Sequence, residues 1–95
     1  MDREHIVNGK RVTFRESYPV RECHDVPYLW YLANQPDATF EDKAKVLGKL
    51  IESWEFDGAP GDIAAYESMH TFAEFWPLWT AAIIEIGQHL DAEKN

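Results

Sequence analysis

The polar and apolar positions of this chain begin in strict alternation and then switch to steps of three and four. In "IVNGKRVTF", residues 6–14, a two-residue turn at Asn8-Gly9 puts Val7, Val12 and Phe14 on one face and Ile6, Arg11 and Thr13 on the other. Both central residues of a type I′ turn need positive φ, which Asn and Gly tolerate best. Two strands alone are barely stable in water, so the apolar face of this hairpin must pack on helices. "SYPVRECHDVPYLWYLANQP" predicts a short helical turn and then a helix from about Pro27 to Ala33 carrying Leu29, Trp30 and Leu32. Pro27 biases Val26 away from helical geometry, and Asp25 is the expected N-cap.

"TFEDKAKVLGKLIESW" reads as one helix running to Trp54. Thr39 and Asp42 have capping-box spacing, and Phe40, Ala44, Leu47, Leu50 or Ile51, and Trp54 draw one apolar stripe. Gly48 costs roughly 1 kcal/mol against Ala inside a helix, which points to close approach by another backbone or to a tolerated weak spot. "DGAPGD" is a turn, and Asp62 is the expected cap of a short helix through Ile63, Ala65 and Tyr66. Thr71 and Glu74 repeat the capping-box spacing. Phe72, Phe75, Trp76, Trp79, Ile83, Ile86 and Leu90 then form an apolar face, with a kink expected at Pro77. The pattern predicts a single small domain, mostly α with a minor β part. Its hairpin covers about residues 4–15, and three to four packed helices cover about residues 19–91.

Composition narrows the function. Ninety-five residues with 45% hydrophobic positions can fold as one domain without metal or disulfide staples, and the single cysteine, Cys23, allows no internal disulfide. Seventeen acidic against nine basic residues give a formal charge of −8, which repels phosphate backbones, so direct nucleic-acid binding is not expected. "MDREHIVNGK" has no apolar core of a signal peptide, and the longest apolar run, Ala81–Ile84 beside "PLW", is too short to span a bilayer. A soluble, cytoplasmic protein with no membrane partner is the expectation.

Little in the chain suggests catalysis. "RECHD", residues 21–25, is the one crowding of metal-ligand types, but Cys23 and His24 are adjacent, and no second Cys/His pair follows at finger-like spacing. A cysteine nucleophile would also need a positioned base and an oxyanion site. The glycines match neither the phosphate loop nor the dinucleotide fingerprint. No enzyme, metal or cofactor is expected. The aromatics carry more information. Trp30, Trp54, Trp76 and Trp79 fall mostly on apolar stripes, whereas Tyr28 and Tyr31 fall off the Leu29/Leu32 face, and "FWPLW" is apolar on more than one side. Contiguous exposed aromatics mark protein interfaces, so Tyr28, Tyr31, Phe75, Trp76 and Trp79 are the candidate partner-binding residues.

"LIESWEFDG", the Pro/Gly/Asp turn after it, and "AAYESM" before a terminal apolar helix resemble the tail assembly chaperones of long-tailed bacteriophages. The matching residues are Trp54, Phe56, Asp57, Gly58, Ala65, Tyr66 and Met69, and "NGKRVTFRES" resembles the hairpin-type opening of several such proteins. "FAEFWPLWTAA" departs from the family pattern, which is more aliphatic there and lacks the proline. The resemblance implies a non-enzymatic chaperone, in the short form, that coats the hydrophobic helical tape-measure protein in the bacterial cytoplasm until the tail tube polymerises around it. It implies contact with tail tube protein as a further partner, absence from the mature virion, and a structural role for Trp54, Phe56, Asp57, Gly58 and Tyr66 at the elbow. Coating a filament also makes a homo-oligomer natural. The alternative is an acidic inhibitor or DNA mimic that binds a nucleic-acid-binding partner, although "EDKAK" interrupts its acidic face. A small enzyme or metal protein built on Cys23 and His24 ranks last.

Overall fold

The computed structural model describes residues 3–94, the last five of these as backbone only. Strands β1 (Glu4–Val7) and β2 (Lys10–Phe14) pair antiparallel, with Val7 opposite Lys10. Asn8 and Gly9 between them have φ of 52° and 77°, as a type I′ turn requires. Val7, Val12 and Phe14 are buried and Ile6 is exposed, so the alternation is realised.

The helical segments are α1 (Val20–Cys23), α2 (Val26–Ala33), α3 (Phe40–Leu50), α4 (Ile63–Glu67), a π-helical turn (Thr71–Phe75) and α5 (Trp76–Lys94). Val26 is helical despite preceding a proline, and Asp25 makes no side-chain cap; its carboxylate lies 3.4 Å from Lys49 Nζ. The Thr39/Asp42 capping box forms in full and opens α3.

The largest departure from the sequence reading is the class of the fold. Helix α3 ends at Leu50, not Trp54, and the chain passes without a loop into a third strand, β3 (Ile51–Trp54). This strand pairs antiparallel with β2, giving the sheet order β1-β2-β3, with a bulge between Thr13 and Phe14. The protein is α+β, not mostly α. "LIESW" carries apolar residues at steps that suit either a helix or a strand. The exposed inner face of the hairpin decides between them, because a third strand covers one free edge of β2 and extends the buried face. Arg15 N–H donates to the Leu50 carbonyl at 2.9 Å and seals the junction.

The core lies between this sheet and helices α3 and α5, with Ala44, Leu47, Leu50, Leu78, Trp79 and Ala82 meeting Val7, Val12 and Phe14. Trp30 of α2 stacks on Trp79 with centroids 5.1 Å apart, and Lys43 donates to the Ala33 carbonyl at 2.9 Å, closing the end of α2. Helix α5 buries a different stripe from the predicted one. Phe75 and Trp79 point inward, but Phe72, Trp76 and Ile83 are exposed, while Leu78, Ala82 and Glu85 take the inner positions. Two causes combine. The π turn holds one more residue per hydrogen-bonded turn than an α-helix, which shifts the phase between Phe72 and the rest. A charged residue is also a poor guess for a core site. Leu90, on the predicted stripe, lies outside the described side chains. Pro77, without an N–H, sits just after the π turn, whose wider winding accommodates it.

Buried Glu85 is matched from the sheet. His5, opposite Val12 on the inner face of β1, places Nε2 3.0 Å from Glu85 Oε1 and packs edge-on to Phe14. His5→Ala is expected to cost roughly 2 kcal/mol or more, because it strands a buried carboxylate, whereas leucine at both positions should recover most of that loss. Chemical denaturation of the two variants checks this.

Gly48 answers its own question. A Cβ there would stand 3.0 Å from the Pro60 carbonyl oxygen and 3.2 Å from Gly61 Cα, so the elbow backbone lies directly on α3. Gly48→Ala should therefore destabilise by about 1–3 kcal/mol through overpacking, in place of the helix-propensity gain. A rise in melting temperature would show that this contact yields.

Candidate partner-binding surface

The elbow from Trp54 to Asp62 is fastened from within. Trp54 Nε1–H donates to the Gly58 carbonyl at 2.8 Å, and its ring packs against Phe56 at 5.4 Å and Tyr66 at 5.1 Å. The buried Tyr66 hydroxyl donates to the Pro60 carbonyl, and burial raises its pKa well above the ordinary phenol value. Gly58 has φ of 83°, and a Cβ there would meet Ala65 Cβ at 3.0 Å, which no other residue type would suit. Asp62 caps α4 by accepting from Ala64 N–H at 3.1 Å. Asp57 is exposed on the outside of the turn. Trp54, Phe56, Gly58 and Tyr66 thus lock α4 against the sheet and α3.

The candidate contact residues divide. Tyr28 and Tyr31 are 63% and 60% exposed, and Trp76 is 43% exposed. Phe75 and Trp79 are largely covered, at 8% and 5%, and of the two only Phe75 reaches the groove described below. Trp79 is covered by Trp30 and by Lys43, whose ammonium lies 5.3 Å from its ring centroid, and Phe75 packs among Phe40, Tyr66 and Trp76. Both sit on the side of the helix that turns to the core.

An open groove of about 520 Å³ runs between the start of α3, the end of α4 and the π turn, walled by Phe40, Lys43, Met69, Phe75 and Trp76. Sequence reading assigned Phe40 to a buried stripe, but as the first residue of its helix it lies beyond the covered turns and is partly exposed. Phe72, 79% exposed, stands on the same turn.

A second cleft, about 720 Å³, is lined by Tyr18, Cys23, Val26, Trp30, Ile86 and His89 among others. The Tyr18 ring meets His89 edge-on, and burial, helped by the charge of Glu85, pushes the Tyr18 phenol up to about 12. The thiol of Cys23 is buried, whereas His24 is exposed with Nδ1 3.1 Å from the Val20 carbonyl oxygen. The two side chains therefore diverge. Among the described residues no three His, Cys, Asp or Glu side chains gather as a metal ion would require. No helix of the described residues is long and apolar enough to cross a membrane. Comparison with protein-family models, curated proteins and solved structures gives no match.

The π turn beside the groove has its own carboxylate lock. His70, not Thr71, is the N-cap: His70 Nδ1 accepts from Ala73 N–H at 3.0 Å, and Glu74 accepts from His70 N–H at 2.8 Å. The predicted box is displaced by one residue because the turn is π. Glu74 also accepts from Asn8 at 3.0 Å and faces Lys10 at 3.5 Å, tying the hairpin tip to the groove. The backbone bond from His70 is the main reason that the Glu74 carboxyl titrates below the usual range, and Asn8 and Lys10 add to it. A depressed folded pKa means stability that is complete above the unfolded value and is lost as pH falls through the folded one. The slope of stability against pH below about 4 should therefore flatten in Glu74→Gln, measured by urea denaturation at successive pH values.

Proposed function

We propose that this protein is a non-enzymatic tail assembly chaperone, which binds apolar helices of a tape-measure protein and keeps them soluble until tail tube protein arrives. The observation that carries the reading is an open aromatic groove, walled by Phe40, Met69 and Trp76, on a chain of net charge −8. An amphipathic helix laid in such a groove hides its own apolar face, while the acidic body keeps the complex in solution. Of the elbow residues that carry the family resemblance, Tyr66 is buried and lines the groove together with Met69, and the half-buried Trp54 ring packs on it at 5.1 Å. The acidic surface is interrupted by the pairs Arg3–Glu52, Arg11–Glu4, Arg15–Glu22 and Lys49–Asp25, a pattern less suited to imitating a continuous phosphate backbone.

The test is co-expression of the tagged chain with a long, helical, apolar reading frame encoded beside it. The long protein should remain soluble and bound in high salt, and Phe40→Asp together with Trp76→Asp should release it at least tenfold more readily. Loss of binding in high salt with the wild-type chain, and elution of a basic nucleic-acid-binding protein in its place, would favour the mimic instead.

A further inference from the structure

The outer face of α5 and its preceding π turn is unlike the rest of the surface. Phe72, Ala73, Trp76, Thr80, Ile83 and Ile84 are all exposed and none is charged. Between Glu74 and Asp91 the single carboxylate is Glu85, which is buried against His5. Glu74 itself turns toward the hairpin tip. In a chain with 27% charged residues, this helix presents an apolar strip with no acid of its own.

We infer that this strip pairs with the same strip of a second copy, the two helices running antiparallel about a twofold axis at Thr80. Three observations select a second copy. Two bodies of charge −8 repel wherever their carboxylates meet, and this is a helix face that brings none to the contact. The strip is also self-complementary, as an isologous interface must be. A dyad at Thr80 sets Trp76 of one copy opposite Ile84 of the other, at equal spacing on either side. It also carries Phe72, the bulkiest projection at one end, to the level of Gln88 at the other, next to Gly87, where a Cβ would meet nothing within 4 Å. Third, the area fits a reversible pair. Phe72, Trp76, Ile83 and Ile84 leave on the order of 400 Å² exposed per copy, taking roughly 150–250 Å² for a whole large side chain. Twice that falls below the ~1,200 Å² at which standard stable interfaces begin. The dimer is weak, and Trp76 belongs to both the strip and the groove, so self-pairing and partner capture compete for it.

Sedimentation equilibrium of the full chain alone tests this without any partner protein. The average mass should rise toward twice the monomer with concentration, and more readily in high salt, because screening relieves the repulsion between acidic bodies. Ile84→Glu should weaken association at least tenfold, with circular dichroism confirming that the fold is kept. Thr80→Cys should give a covalent dimer on mild oxidation, because the axis brings each Thr80 beside its copy; the wild-type thiol is buried. A chain that stays monomeric at all concentrations overturns the inference. So does association indifferent to Ile84→Glu, or a Thr80→Cys chain that cross-links no better than Tyr28→Cys. Since Ile83 and Ile84 do not line the groove, failure here leaves the groove's proposed role standing, and Phe40→Asp leaves self-pairing intact.

Discussion

The inner face of the hairpin, Val7, Val12 and Phe14, is the constraint on which the rest of the structure depends. Two strands cannot hold such a face out of water by themselves. Cover comes from three sources: a third strand on the free edge of β2, and helices α3 and α5 across the face. The first two arise from one continuous segment, because α3 hands over to β3 between Leu50 and Ile51, both buried. Once that junction is set, the elbow must turn back over α3, and Gly48 is the position where its backbone lands. The location of α4, the π turn and the groove between them follows from that landing.

The aromatic residues serve two purposes that burial separates. Trp54, Tyr66, Trp30, Trp79 and Phe75 hold elements together through ring contacts and, for Trp54 and Tyr66, hydrogen bonds to elbow carbonyls. Tyr28, Tyr31, Phe72 and Trp76 project into solvent, where large apolar side chains have no structural work to do. A small domain has too little interior for all of its rings, and the surplus marks where a partner can gain most from contact.

Local signals were legible in the sequence. The Asn8-Gly9 turn, the Thr39/Asp42 box, the Asp62 cap and the close approach at Gly48 each rest on a neighbour a few residues away or on glycine's missing side chain. Signals that depend on distant partners were not. "LIESW" continues a helical stripe until an unpaired β2 edge claims it. Glu85 reads as surface until His5, eighty positions earlier, is placed opposite it. The π turn shifts the phase of the last helix by one residue, which turned Trp76 outward and Phe75 inward and moved the cap from Thr71 to His70. Of the predicted contact set, the tyrosines are on the surface because they lie off the Leu29/Leu32 stripe, and Trp76 because the π turn rotates it off the stripe on which its spacing placed it. Phe40, at a helix start, escaped notice because stripe membership says nothing about where the cover ends.

On the proposed function Trp76 is a contact residue, while Trp54 fastens the elbow through its hydrogen bond to the Gly58 carbonyl. The four indole N–H signals of this protein can be followed separately by nitrogen-15 NMR during titration with an apolar amphipathic helix. The Trp76 signal should move on binding, in low and high salt alike, while that of Trp54, bound to the Gly58 carbonyl, stays in place. Movement of Trp54 with Trp76 unchanged, or shifts that vanish in high salt, would contradict the proposed function.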